Sequence, residues 1–286
     1  MLIGHQKQWQ FLKKSVELDK LSHAYLFSGQ EKLGKKTLAL EQISLLFGEN
    51  PWSHPDFVFV EPRENVIQIS QIRDLAWQLS LKPFKAQLRV ALVDQAHLMT
   101  EAAQNCFLKT LEEPKGRALL ILITEYPERL LPTILSRCEI IKFYPVPKTE
   151  IESYLREKRI DNWKEILEIS EGKPGLIIDF ILHPQKVEER RQKIEELNQI
   201  LSSDISLRFQ RAKSLSQEPD LRKILNIWLS YFRDVLIGRG LASNMKNSYS
   251  LPKLKNIIRQ IQNVNFLIST TNVNPRLALE ILMLEL

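Results

Sequence analysis

One stretch near the start limits the fold more than any other: His23-Ala24-Tyr25-Leu26-Phe27-Ser28-Gly29-Gln30-Glu31-Lys32-Leu33-Gly34-Lys35-Lys36-Thr37. Ala24 to Phe27 reads as a short buried strand, the glycines bound a loop, and a helix is expected from about Lys35 through Leu46. Gly29, Gly34 and Lys35 fit G-x-x-x-x-G-K, the loop whose backbone N–H groups wrap a phosphate chain at a helix N-terminus. The next position should be Ser or Thr, whose hydroxyl holds Mg²⁺. Here it is Lys36, and Thr37 comes one residue late. A helix turns about 100° per residue, so Thr37 points elsewhere and does not substitute. The phosphate cradle is drawn, but its metal ligand is missing.

The strand–helix alternation extends to both sides of this stretch. Gln6 to Lys20 is expected to form an amphipathic helix with Trp9, Leu12, Val16 and Leu18 inward. After the turn-rich Asn50-Pro51-Trp52-Ser53-His54-Pro55-Asp56, the apolar run Phe57 to Val60 reads as a strand. Ser70 is the expected N-cap of a helix through Leu79. Arg89 to Asp94 is a buried strand ending in an acid, and Thr100 caps a helix over Glu101 to Glu112 that stops at Pro114. Leu119 to Ile123 and Glu139 to Phe143 are further strands, with a short helix over Leu131 to Leu135 between them. Near-continuous apolar strands alternating with helices indicate an α/β fold, a parallel sheet covered on both faces. Such sheets bind ligands at the carboxyl ends of their strands, where Gly29, Asp94 and Thr124 fall.

Pro145-Val146-Pro147 marks a first boundary and His183-Pro184 a second. Three segments result: an α/β domain over 1–146, three short helices over 147–183 broken at Gly172-Lys173-Pro174-Gly175, and an all-helical domain over 184–286. In the last, Leu221, Ile224, Leu225, Trp228, Leu229, Phe232 and Leu236 recur at helical spacing. Helical bundles of this kind often present assembly surfaces at their exposed ends.

The 44% apolar and 26% charged content is that of a globular protein with a full core, and 286 residues suggest two or three domains. The longest apolar runs are too short to span a bilayer. No basic-then-apolar signal opens the chain, so a cytoplasmic location is expected. Two cysteines, Cys106 and Cys138, provide neither a disulfide framework nor a zinc cluster. A net charge of +6 permits contact with a phosphate backbone without demanding it.

The strand-then-acid element ending in Asp94 has the form that holds a nucleotide's Mg²⁺, although an ordinary strand-end cap remains the competing reading. A hydrolysing site wants a second carboxylate directly after it, and Gln95 cannot act as a base. Lys36 and Gln95 fall in independent motifs and argue against turnover in the same direction. His23 and His97 read as polar histidines without catalytic duty. From spacing alone Arg137 is a surface arginine pairing with Glu139 or with a helix C-terminus, although a guanidinium there could also fork onto phosphate oxygens.

Four runs taken together resemble the bacterial clamp-loader branch of the AAA+ family. They are Leu21 to Gly29, Val93-Asp94-Gln95-Ala96-His97-Leu98-Met99-Thr100, Asn105 to Pro114 ending in Leu111-Glu112-Glu113-Pro114, and Leu131-Pro132-Thr133-Ile134-Leu135-Ser136-Arg137-Cys138. Tyr231-Phe232-Arg233-Asp234 and Asn272 to Glu280 are similar to the helical collar of that branch. The resemblance implies an AAA+ P-loop-like domain, a helical lid and a collar. It also implies a non-hydrolysing ring subunit rather than the gamma/tau motor. Implied partners are the gamma/tau and delta subunits, the sliding clamp and primer–template DNA, the last contacted through its backbone.

Under the same resemblance Arg137 is an arginine finger reaching ATP and Mg²⁺ held by the adjacent subunit. Thr124 and Glu125 occupy the first nucleotide sensor, and Gly175 stands where a hydrolysing relative places a second-sensor arginine. No cofactor is expected in this chain. Many bacterial relatives carry a four-cysteine zinc module after the phosphate-loop helix, but residues 46–57 contain no cysteine and zinc is not expected. Two other readings stay open: an ATPase in its own right using Thr37 after a shifted loop, and a nucleic-acid binder acting alone.

Overall fold

Every residue of the strand β1 (Ala24–Ser28) is buried, which requires cover on both faces. Ala24 and Leu26 join one apolar cluster while Tyr25 and Phe27 join another, following the two-residue period of a strand. The structure, a computed structural model, describes residues 3–112, 116–237, 249–270 and 273–286 and divides into two compact units, Met1–Asp179 and Phe180–Leu286. The expected stop at Pro114 and the residues Thr271 and Asn272 lie outside the described residues.

In the first unit β1 pairs with β4 (Ala118–Thr124) and β5 (Glu139–Lys142). β3 (Arg89–Val93) joins β4 to β2 (Phe57–Val60), giving the order β2-β3-β4-β1-β5 with every pair parallel. The helices α1 (Gln6–Glu17) and α2 (Lys35–Phe47) cover the face of Tyr25 and Phe27 with Leu12, Leu38 and Ile43. The opposite face is covered by α3 (Ile69–Ser80), α4 (Glu101–Glu112) and α5 (Pro132–Leu135), through Ile72, Leu75, Phe107, Leu111 and Ile134. Phe27 is wholly buried, and its truncation to Ala would cost about 3–5 kcal/mol.

The connections place the crevice. From β1 the chain crosses toward β2 on one side, and from β4 it crosses toward β5 on the other. The adjacent carboxyl ends of β1 and β4 therefore flank the point where the strand order reverses, the usual ligand position in such sheets.

Two details differ from the sequence expectations. α3 begins at Ile69, so Ser70 lies inside the helix; the Gln68 N–H donates to the Gln71 side-chain oxygen at 3.0 Å and fixes the earlier start. Leu18 is 63% exposed rather than inward, because α1 ends at Glu17 and Asp19 turns the chain with a left-handed φ of 51°.

Beyond β5 comes a short strap, residues 143–146, held by the Phe143 N–H on the Ser28 carbonyl at 2.7 Å and the Val146 N–H on the Gly172 carbonyl at 2.8 Å. Its neighbours Gly4, Gly29 and Gly172 pack so closely on it that a Cβ at any of them would meet Phe143, Pro145 or Val146. The helices α6 (Lys148–Glu157), α7 (Trp163–Ile169) and α8 (Pro174–Leu182) come next, with Ile151, Leu155, Ile166 and Ile177 buried. At the amino end of the sheet, buried Asp56 accepts the N–H groups of Phe84, Lys85 and Ala86 at 2.7, 2.8 and 2.9 Å and lies 3.6 Å from Arg89.

The second unit packs α9 (Gln185–Ser202), α10 (Ile205–Leu215), α11 (Leu221–Ile237), α12 (Leu251–Thr270) and α13 (Pro275–Glu285) around Trp228, Phe232, Ile257 and Leu282. Tyr231 and Phe232 belong to this core, and the Tyr231 hydroxyl donates to Asn198 at 3.1 Å. Asn274 caps α13 by accepting the Arg276 N–H. Among the described residues no helix is long and apolar enough to cross a membrane.

Candidate functional site

Gly29 leaves β1 with its N–H on the Thr124 carbonyl at 3.2 Å, and a Cβ there would collide with the Phe143 carbonyl. The loop closes at Gly34, whose left-handed φ of 89° is open to glycine at little cost and starts α2. Lys35 is 6% exposed and folds back onto the loop, its ammonium donating to the carbonyls of Gly29 and Gln30, the latter at 2.6 Å. Burial lowers its pKa below the ordinary lysine value, and the charges of Glu125, Asp94 and Glu31 oppose that shift.

The next side chain turns to the acid at the end of β3. Lys36 Nζ lies 3.0 Å from Asp94 Oδ2 and 4.3 Å from the centre of the Phe59 ring. Asp94 Oδ1 accepts the Gln95 N–H at 3.0 Å, and the Asp94 N–H donates to the Val60 carbonyl at 2.9 Å. Gln95 is exposed and left-handed, with φ 50°, so its amide sits outside the cluster. Thr37 is exposed as well, which agrees with the helical rotation argued from sequence.

At the end of β4, Thr124 is buried and its hydroxyl lies 3.2 Å from His97 Nδ1 while accepting the Tyr126 N–H at 3.1 Å. Burial, then the charges of Arg129 and Lys35, hold the His97 pKa below its ordinary value. A neutral ring can accept from the threonine hydroxyl. The carboxyl ends of β1, β3 and β4 thus gather Gly29, Lys35, Lys36, Asp94 and Thr124, with His97 and Glu125 beside them. Glu125 falls where the family resemblance puts the first nucleotide sensor, whereas the contact of His97 with Thr124, between residues 27 apart, has no counterpart in the sequence pattern.

The wall of the loop is formed by α8. The Gly175 N–H donates to the Lys32 carbonyl at 2.7 Å, and a Cβ on Gly175 would stand 2.8 Å from that same oxygen. Lys32 Nζ also lies 3.8 Å from Asp179. A side chain of any size at position 175 would push this helix off the loop.

Arg137 is elsewhere. It comes after α5 and precedes β5, so the parallel sheet puts it at the amino edge, opposite its own loop. Its guanidinium lies 2.7 Å from Glu112 and donates to the Thr133 carbonyl at 2.9 Å. The ion-pair partner is therefore Glu112 at the end of α4 and not Glu139, while the Thr133 carbonyl, in the last turn of α5, is a helix C-terminus, the other partner expected from spacing. Glu112 belongs to the Leu111-Glu112-Glu113-Pro114 run, and its proximity results from packing that local spacing does not report. Beside Arg137, burial pushes the Cys138 thiol up to about 12, which makes it an inert apolar neighbour. Among the described residues no group of His, Cys, Asp and Glu could hold a metal ion.

The strand order together with Lys35, Asp94 and Thr124 defines a P-loop fold of the AAA+ type. A gamma subunit-related protein of DNA polymerase III from Thermotoga maritima shares that fold over 97% of both chains, with a TM-score of 0.55 at 21% identity. The family described as DNA polymerase III, delta subunit, matches residues 4–147, and the chain belongs to that family. It is 35% identical over 167 residues to the delta' subunit of DNA polymerase III from Bacillus subtilis, covering 53% of this chain and 51% of that protein. With the delta' subunit from Pseudomonas aeruginosa it shares 31% identity over 210 residues, 65% of this chain and 63% of that protein. The matched part thus spans from about half to just under two thirds of those relatives.

Proposed function

We infer that the chain is a delta-prime-like subunit of a bacterial clamp loader, a fixed member of a ring that opens a sliding clamp and closes it around primer–template DNA during replication. It does not hydrolyse ATP itself. Its contribution to hydrolysis is Arg137, lent to ATP and Mg²⁺ on a neighbouring gamma/tau subunit, where a guanidinium stabilises the charge of phosphoryl transfer.

One observation carries the non-hydrolysing reading. Both oxygens of Asp94 are engaged by partners of its own chain, Lys36 and the Gln95 N–H. Neither partner is a base that could activate water, and no carboxylate comes directly after Asp94. Arg137 supports the second half of the reading: it stands at the sheet edge away from the loop, 35% exposed, and is held by a surface carboxylate rather than sealed in the core.

Assembly is supported by α13, where Leu277, Ile281 and Leu284 are each more than half exposed. Their spacing of four and three residues puts them on one face. Such a stripe suits packing against neighbouring collar helices, here those of the gamma/tau and delta subunits.

The test is turnover by the isolated chain, for which no ATP hydrolysis above background is expected. Appreciable Mg²⁺-dependent hydrolysis that disappears in Lys35→Ala would overturn the reading.

A further inference from the structure

The magnesium ion that loops of this kind employ finds no fitting ligands here. The position after the loop lysine has no hydroxyl, Thr37 faces solvent, and the acid that would share the ion already holds an ammonium at 3.0 Å. We propose that Lys36 is a built-in counter-ion: it supplies, from within the chain, the positive charge that a divalent cation brings to Asp94 in loops where Ser or Thr comes after the lysine.

Helix position makes the choice of residue informative. Lys36 lies in the first turn of α2, where the positive end of the helix dipole disfavours a cation. A lysine that merely covered the surface would do so at lower cost elsewhere on the helix. This one is held from two sides, by Asp94 and by the face of Phe59, and an ammonium over an aromatic ring gains further from the ring's negative face. Lys35 does not compete for the acid, because its ammonium is committed to the carbonyls of Gly29 and Gln30.

The chemistry also differs from a metal's in a useful way. An ammonium has three donors and no coordination sphere. Magnesium demands near-octahedral oxygen ligands and keeps several waters. Lys36 therefore neutralises Asp94 and steadies the β3 end without creating a place where a water is polarised toward a phosphate. The inference rests on the non-hydrolysing reading above and can fail separately from it.

The experiment uses the full-length chain and thermal unfolding at fixed ATP, with MgCl2 or EDTA at matched ionic strength. For the natural sequence the expected Tm is the same in both. Lys36→Thr restores the hydroxyl and frees Asp94, and its Tm with ATP should rise in magnesium by about 3 °C or more over EDTA. Lys36→Thr with Asp94→Asn should lose that gain. Lys36→Ser reads the same effect if the threonine variant does not fold. A magnesium-dependent rise in the natural chain, or none in a folded Lys36→Thr or Lys36→Ser chain, overturns the counter-ion. If the natural chain is silent in ATPase assays and these variants still gain no metal response, only this inference falls. Hydrolysis by the natural chain removes the reading beneath it.

Discussion

Lys36 and Arg137 stand at opposite edges of one sheet, each paired with a carboxylate of its own chain, and their surroundings separate them. Asp94 is 16% exposed with both oxygens engaged, whereas Glu112 is 49% exposed at a helix end. Parting a charge from a largely buried partner strands that partner in a medium of low dielectric. Parting an exposed pair exchanges it for water and salt at little cost. The cation at position 36 is thus tied to the fold, while the one at position 137 is bound to its carboxylate only weakly.

The sharpest way to break this contrast is Arg137→Ala in a reconstituted ring. Assembly should be unchanged and DNA-stimulated ATPase at the neighbouring site should fall by about three orders of magnitude; normal activity in that ring would remove the trans-acting role. The buried limit of the scale is set by Asp56, which is wholly inaccessible. Asp56→Asn should cost about 3 kcal/mol, read as a lower urea midpoint.

Burial alone would raise the Asp56 pKa, but the three N–H donors and then Arg89 outweigh it, so the folded value lies below the ordinary 3.8. Its stabilisation is accordingly complete above that ordinary value and is lost as pH falls from there through the folded value. Asp56→Asn should flatten the acid limb of the stability curve, and an unchanged limb would deny the linkage.

Between these limits, Asp94→Ala should cost about 1 kcal/mol, discounted because Lys36 is 40% exposed and screened. The smallest effect belongs to Glu112→Gln, within about 0.5 kcal/mol by denaturant titration. A loss as large as that of Asp56→Asn would show the Arg137 pair to be structural and erase the contrast.

The sheet was legible because its strands are apolar runs bounded by glycine, proline or an acid, and that grammar is local. β3 ends beside Asp94, and α4 spans Glu101 to Glu112 with the Thr100 hydroxyl accepting the Ala103 N–H at 3.2 Å, as its sequence leads one to expect. The loop was legible for the same reason, down to the outward turn of Thr37. The partners were not. Lys36 meets Asp94, Arg137 meets Glu112, and His97 meets Thr124 across separations of 58, 25 and 27 residues. Such meetings are decided by strand order and helix packing, which no local pattern encodes. Sequence could say that position 36 lacked a hydroxyl; only the fold shows what its ammonium touches.

The strap after β5 has a genetic consequence. Gly4, Gly29 and Gly172 are far apart in the chain, yet an alanine at any of them would push on the same few residues, 143–146. Substitutions that look unrelated on a linear map should therefore share one phenotype. Combined, they should cost less than the sum of their separate effects, because the first displacement already makes room for the others.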